Sequence, residues 1–407
     1  MITNKIIIKN YSLLLAIVCF FPSLLFVILG SSSLALGIII SCLIIIFYNQ
    51  KIPIPSKILS YKISFIILFL LVNLFYAIAF TFSFKLIQSF IFFVVLLASA
   101  SVLSDEVDLI ANQEVFNITK FLAYIFLFIG FIGALFPFHS LGYQNFLKPV
   151  FPFSEPSHYV LCSAPFFLFL SVHFRKYKKT IFILILLLIG GLLPSLLMIL
   201  LVILISGILY SSKLFRLIFL TILILISLFY FFRSVDLINY FIERVDFSGG
   251  ASTSSNLSLL VYLQGWEDAY IGFTSTYGFG LGFQNMGIQP PGEYGELIYS
   301  IKHGYLNRKD GGFLAAKILG EFGVLGILLI IMYLNFCLKC VRRLVQYMNG
   351  QSNIDFKIVF SYCIVITFSL ELFIRGYGYF SPGVLFFSMA IFTLFKYDLQ
   401  KNKLDEK

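Results

Sequence analysis

The sequence predicts an all-α polytopic membrane protein with about 12 transmembrane helices and one large loop on the non-cytoplasmic side. Three observations carry that expectation. Only 12% of the 407 residues are charged and 60% are hydrophobic, against a charged share of roughly 25% in a water-exposed globule. Apolar runs long enough to cross a bilayer recur along the chain. Basic residues gather at alternate ends of those runs.

The runs lie at approximately 11–29, 33–48, 60–80, 86–103, 120–138, 156–173, 180–193, 195–210, 214–232, 314–336, 358–375 and 378–396. With the N-terminus inside, about 20 of the 29 basic residues fall on inner connections or tails. Lys5 and Lys9 begin that set, Arg175, Lys176, Lys178 and Lys179 form its densest group, and Lys339, Arg342, Arg343 and Lys357 follow. Both termini are therefore expected in the cytoplasm. The first run resembles a signal peptide, but no small-x-small cleavage site stands out, so it reads as an uncleaved helix. Residues 180–210 are long for one span and short for two. Basic flanks on both sides require an even number of crossings, and Gly190, Gly191 and Pro194 supply a turn, so a tight, partly re-entrant hairpin is expected.

Three regions follow: residues 1–232 with helices 1–9, a large loop over 233–313, and residues 314–407 with helices 10–12 and a cytoplasmic tail. A loop of that length is functional or disordered. This one carries a flexible GGASTSSN run (Gly249 to Asn256), a helical pattern over 257–272 with the only Trp (Trp266), and a GFGLGF turn (Gly278 to Phe283).

Composition also excludes classes. The net charge of +10 sits at helix ends, and no basic stretch has the aromatic interleaving of a nucleic-acid surface, so no nucleic-acid partner is expected. Cys19, Cys42, Cys162, Cys337, Cys340 and Cys363 are scattered, mostly in apolar runs, which does not suit a disulfide framework; the CxxC of Cys337 and Cys340 reads as two unpaired thiols. GFGLGF neither follows a strand nor opens a helix and is not a dinucleotide fingerprint. With no HExxH, GxSxG, P-loop or zinc spacing, no metal or cofactor is expected.

Four constellations could carry chemistry. In SEPSH (Ser154 to His158), Ser154 or Glu155 can cap the sixth helix with Pro156 in its first turn. Alternatively Glu155 is an outward-facing carboxylate able to hold or deprotonate a sugar hydroxyl, with His158 assisting. The arginines Arg233, Arg244, Arg308 and Arg375 suit bidentate binding of a diphosphate. For Arg233 and Arg308 interfacial anchoring is the competing reading. Glu371 and Arg375 are four apart, share a helix face and can pair, or else mark a functional site within a span. In DGGFLAAKILGEFGVLG (Asp310 to Gly326), Asp310 precedes the span, Lys317 and Glu321 are four apart, and Gly323 and Gly326 permit close helix approach. Lys302, His303, Arg308, Lys309 and Asp310 make the most charge-dense outer stretch.

FPFSEPSHYV, NLSLLVYLQGWEDA, TYGFGLGFQNMG and DGGFLAAKILGEFGVLG lie in the order, and around the loops, of the O-antigen polymerases (the Wzy family) of the O-antigen polymerase and ligase superfamily, and the whole chain resembles that family in architecture. The resemblance implies a metal-independent glycosyltransferase of the bacterial inner membrane, working at its periplasmic face in lipopolysaccharide biosynthesis. It would transfer the growing glycan from undecaprenyl diphosphate to a sugar hydroxyl of the next lipid-linked repeat unit. The implied partners are that lipid-linked oligosaccharide, the bilayer, a flippase and a chain-length regulator. Candidate catalytic residues are then Glu155, Asp310 and His303; candidate substrate or diphosphate ligands are Arg244, Arg375, Arg308, Glu267 and Trp266. The related O-antigen ligases carry a His shortly before the ExGxxG segment. Here Glu321 to Gly326 fits that segment, but Gly311 and Gly312 stand where the His is expected, which disfavours a ligase and leaves the base unassigned. An O-antigen ligase, or a capsule or exopolysaccharide polymerase, is the alternative within the superfamily. A polysaccharide flippase is the alternative outside it, though no internal repeat or charged central cavity is legible.

Overall fold

The computed structural model describes residues 2–31, 33–49, 57–136, 138–146, 148–210 and 257–405. Its helices are α1 (Ile2–Ile28), α2 (Ala35–Asn49), α3 (Lys57–Phe80), α4 (Phe84–Leu109), α5 (Asn112–Leu135), α6 (Pro156–His173), α7 (Lys176–Leu192), α8 (Leu196–Leu209), α9 (Leu257–Ser275), α10 (Glu293–Lys302), α11 (Leu314–Met348), α12 (Phe356–Phe373) and α13 (Pro382–Asp405). Among the described residues there is no named strand, only two isolated β-bridges. The expected run at 214–232 lies outside the described residues, as do Arg233, Arg244 and the GGASTSSN segment.

Among the described residues, six helical stretches are long and apolar enough to cross a membrane: Tyr11–Ile28, Phe84–Leu109, Asn112–Leu135, Leu314–Met348, Phe356–Phe373 and Pro382–Leu399. They suit a membrane-embedded protein. The hairpin of α7 and α8 turns at Leu193 to Ser195, and Ser195 caps α8 by accepting the Met198 N–H at 3.4 Å. With 14 residues, α8 rises only about 21 Å, short of the ~30 Å hydrocarbon layer.

α12 is the central helix. It packs on α6, α11 and α13, and α13 packs in turn on α4. Its residues are apolar on every side, and nearly all of them are buried, as a helix surrounded by other helices requires. α11 differs. It buries most of its first ten residues, while Val324, Leu325, Leu328 and Met332 beyond them are exposed, the pattern of a helix at the lipid-facing rim.

α11 is not continuous. Gly323 takes φ 55° and ψ −127°, which breaks the helix there. The GFGLGF turn closes the break. Leu281 N–H donates to Gly320 O (2.9 Å), Gly282 N–H to Glu321 O (2.8 Å) and Val324 N–H to Gly278 O (2.8 Å). Backbone groups freed by the break thus find partners, as burial demands. A Cβ on Gly323 would sit 1.9 Å from Gly278 O, so only glycine fits. α9 lies along the first half of α11 through a small-residue face: a Cβ on Gly265 would be 2.2 Å from Gly311 O, and Ala269 is fully buried. Asn285 pins the far side of the turn to α3, donating to Ala77 O at 3.0 Å and accepting from Thr81 at 3.1 Å.

Candidate functional site

α12 ends at Phe373 because glycines follow at 376 and 378 and Pro382 opens α13. The residues between, 374–381, form a strap across one end of the bundle. Its side chains reach two neighbouring groups.

On the α6 side, Arg375 Nη2 donates to Glu155 Oε2 at 2.8 Å. Glu155 is the N-cap residue of α6, with Pro156 in the first turn, but its side chain makes no cap hydrogen bond. It accepts from Ser157 Oγ (3.0 Å) and Arg375 instead. Glu155 thus occupies the capping position without capping the helix through its side chain. His158 Nδ1 is 2.9 Å from Ser154 Oγ, and its ring meets the Tyr377 ring edge-on at 4.4 Å. The expected Glu371–Arg375 pair does not form. The helix stops short of Arg375, so the i,i+4 register is lost and the guanidinium turns to Glu155.

On the α11 side, Tyr379 donates to Glu321 Oε2 at 2.7 Å, and Met286 N–H donates to Glu321 Oε1 at 3.3 Å. Lys317 lies 3.4 Å from Glu321 and 3.5 Å from Asp310, and donates to Gln284 Oε1 at 3.2 Å. Lys317 and Glu321 are fully buried, whereas 43% of the Asp310 side chain is exposed. Gly378 brings the strap to Asp310: a Cβ there would be 2.9 Å from Asp310 Oδ1. Lys85, at the start of α4, lies within electrostatic range of Lys317, Asp310, Lys309 and Glu321. Among the described residues no carboxylate is within ion-pair distance of Lys85 or Lys309. Arg375, with 29% of its side chain exposed, has further guanidinium donors to offer.

The other expected site residues serve the loop. Glu267 caps α10, accepting the Glu293 N–H (2.7 Å) and Tyr294 N–H (3.0 Å). Its carboxylate is thus engaged within the loop, away from the strap. Arg308 is buried. It donates to Asp268 at 3.2 Å and to Gln289 O, and lies over the Tyr305 ring, so it braces the loop and is neither an interfacial anchor nor a free diphosphate ligand. Burial pushes the Asp268 carboxyl up to about 6 against the pull of Arg308. Trp266 packs on Phe313 at 4.9 Å and stays partly exposed. His303 closes the C-terminus of α10 in a left-handed conformation (φ 52°) and is exposed; neither charged group includes it.

Around the strap lie Glu155, Asp310 and Arg375, together with Lys309 and Lys317, which the sequence offered only as members of a charged stretch and an i,i+4 pair, and Lys85, Tyr377 and Tyr379, which sequence reasoning did not single out. The signal for the tyrosines was their alternation with glycine in RGYGYF (Arg375 to Phe380), since such spacing suits an extended segment rather than a helix.

Fold and site together define a class: an all-helical, membrane-embedded protein whose ionisable residues converge on a strap at one end of the bundle. No family model, curated protein or solved structure matches the chain.

Proposed function

We propose that the chain is a glycan polymerase that transfers a growing oligosaccharide from a polyprenyl diphosphate to the next lipid-linked repeat unit. In this reading it has twelve spans, both termini lie in the cytoplasm of a bacterial cell, and the strap faces the periplasm across the inner membrane. One observation carries it: cations without carboxylate partners among the described residues (Lys85, Lys309) and a partly exposed Arg375–Glu155 pair flank the same strap, beside a loop built against α11.

The chemistry needs a cation cluster for the diphosphate and a base for the acceptor. Arg375, Lys85 and Lys309 hold the donor's diphosphate and stabilise its charge as the glycosyl C1–O bond breaks. Engaging the diphosphate draws Arg375 off Glu155. The freed carboxylate then accepts the proton of the acceptor hydroxyl as that oxygen bonds to C1. Asp310, held by Lys317, is placed to bind sugar hydroxyls. The ligase alternative is weakened locally. Gly311 and Gly312 have φ of 70° and 71°, and a Cβ on Gly311 would meet Met286 Sδ at 2.9 Å, so a His there would be strained and crowded.

A gel of surface glycan from cells with and without the protein tests the reading. Collapse of long ladders to a core carrying one repeat supports polymerisation. Loss of the one-repeat product as well would replace it with a ligase or a flippase.

A further inference from the structure

Beneath the strap lies a small cavity with room for about one water molecule. Ser23 of α1, His158 and Cys162 of α6, Glu371 of α12, Tyr377 of the strap and Gly383 of α13 border it. Among the described residues, two of these end in polar atoms without a hydrogen-bond partner: Glu371 Oε1 and the Tyr377 hydroxyl. Glu371 is 2% exposed, and no cation lies within ion-pair distance among the described residues. A Cβ on Gly383 would fall 1.7 Å from Glu371 Oε2, so the glycine makes the room the carboxyl occupies. A second void shares Glu371 and Gly383 but is otherwise apolar except for Thr367, whose hydroxyl already donates to Cys363 O at 2.8 Å. A void of that kind stays dry, whereas the outer one offers a water the two to four polar partners it needs.

We propose that the outer cavity holds one resident water bridging Glu371, Tyr377 and His158, and that Glu371 is a positioning residue which exchanges a proton with the site through it. This role rests on the polymerase reading. His158 lies 4.0 Å from Glu155 Oε2, so the path runs from Glu155 to His158 Nε2, across the water, to Glu371. Glu371, anionic when the acceptor binds, takes up the proton that Glu155 draws from the acceptor hydroxyl. After product release the proton returns by the same path to Glu155, whose side chain is 43% exposed, and leaves to solvent, so both carboxylates are anionic for the next acceptor. No electron moves and no other bond breaks. The titratable groups facing the cavity are Glu371, His158, Tyr377 and Cys162. α1 and α13 present no titratable group there, only Ser23, Pro382 and Gly383, and Arg375 and Glu155 lie beyond His158.

The test uses the full-length protein in detergent or nanodiscs, as wild type, Glu371→Gln and Tyr377→Phe. Infrared spectra are recorded in H2O and D2O, and elongation is assayed against pH. A D2O-sensitive protonated-carboxyl band should grow in wild type as pH is lowered, stay absent in Glu371→Gln and be shifted in Tyr377→Phe, where one arm of the water's cage is gone. Glu371→Gln should elongate about 10²-fold more slowly, with KM for the lipid-linked donor unchanged and the pH dependence of kcat flattened. A Glu371→Gln enzyme with wild-type rate and pH profile overturns the proton path. A band unmoved by Tyr377→Phe overturns the water. If wild type does not elongate at all, the polymerase reading falls, and the infrared result alone decides whether the water is there.

Discussion

The two ends of α12 handle charge in opposite ways. At its start, Lys357 pairs with Asp108 at 3.1 Å, and Lys396 of α13 reaches Asp105 at 2.5 Å and Asp108 at 3.3 Å. Lys396 also donates to Ser104 at 2.9 Å, and Asn112 accepts the Phe356 N–H at 2.5 Å. Each lysine there has its carboxylate, and the contacts tie α4, α5, α12 and α13 together. At the strap end, the buried Lys317 is matched by Glu321 and Asp310, while among the described residues Lys85 and Lys309 are not matched and Arg375 is half satisfied. Cations matched within the fold serve the fold. Cations left over at the edge of an apolar bundle, where charge is costly to keep, are available to an anionic ligand.

The sharpest way to break this comparison is to remove one arginine or lysine from each end. Arg375→Ala should lower elongation by about 10²-fold or more, the cost of losing a fixed donor to a charged transition state, while the protein still inserts. Lys396→Ala should leave elongation per folded molecule within about twofold, since its ion pairs lie at the opposite end of α12 from the strap. Arg244→Ala, at a residue outside those described, is expected to behave as Arg375→Ala does. Surface-glycan ladders at matched protein levels decide it, and normal long chains from both arginine variants would remove the diphosphate role.

Next in size is a contrast within the strap end. Glu155→Gln should cost about tenfold to a hundredfold in elongation with little change in thermal stability. Glu321→Gln should do the reverse. It strips a carboxylate from the buried Lys317 and should lower stability by about 3 kcal/mol, read as a fall in Tm, with a smaller effect on turnover in the folded fraction. The opposite ranking would make Glu321 the chemical group and Glu155 the structural one.

Gly323→Ala sharpens the account of α11. It forces a side chain into a positive-φ position against Gly278 O and should destabilise the protein by about 1–3 kcal/mol, whereas Gly304→Ala, where nothing surrounds the added carbon, should be neutral. The smallest effect is a pH dependence. The Asp268 carboxyl is held at about 6 in the fold against about 3.9 in an unfolded chain, so the folded state binds the proton more tightly. Its contribution is fully present below about pH 4 and is lost as pH rises through about 6, on the order of a kcal/mol or two. Asp268→Asn should flatten the fall in Tm across that window.

The helices were legible because lipid permits only a few solutions: the run at 156–173 is α6 to the residue, and the helical pattern at 257–272 opens α9. Ends fared less well. α11 continues to Met348 because Lys339, Arg342 and Arg343 extend it past its apolar part, and hydropathy is blind to such an extension. Within the site, the Lys317–Glu321 pair could be read from i,i+4 spacing because the helix holds through both residues. Glu371–Arg375 could not, because the helix ends two residues early. Glu267 and Arg308 carry the residue types of a binding site but spend their hydrogen bonds on an α10 terminus and on Asp268. Spacing along the chain does not reveal such partners.

The splice between the GFGLGF turn and the broken α11 has a mechanical consequence. The turn supplies backbone partners to the helix at the point where the helix lacks its own, so loop and helix share one set of hydrogen bonds. The loop cannot lift from the bundle like a hinged cover while Leu281, Gly282 and Gly278 stay bonded to Gly320, Glu321 and Val324. A force on α9 or on the turn is delivered to the segment of α11 that carries Lys317 and Glu321, and from Glu321 through Tyr379 to the strap. Displacement of the loop by a bulky glycan would therefore be felt at Arg375 without the glycan touching it.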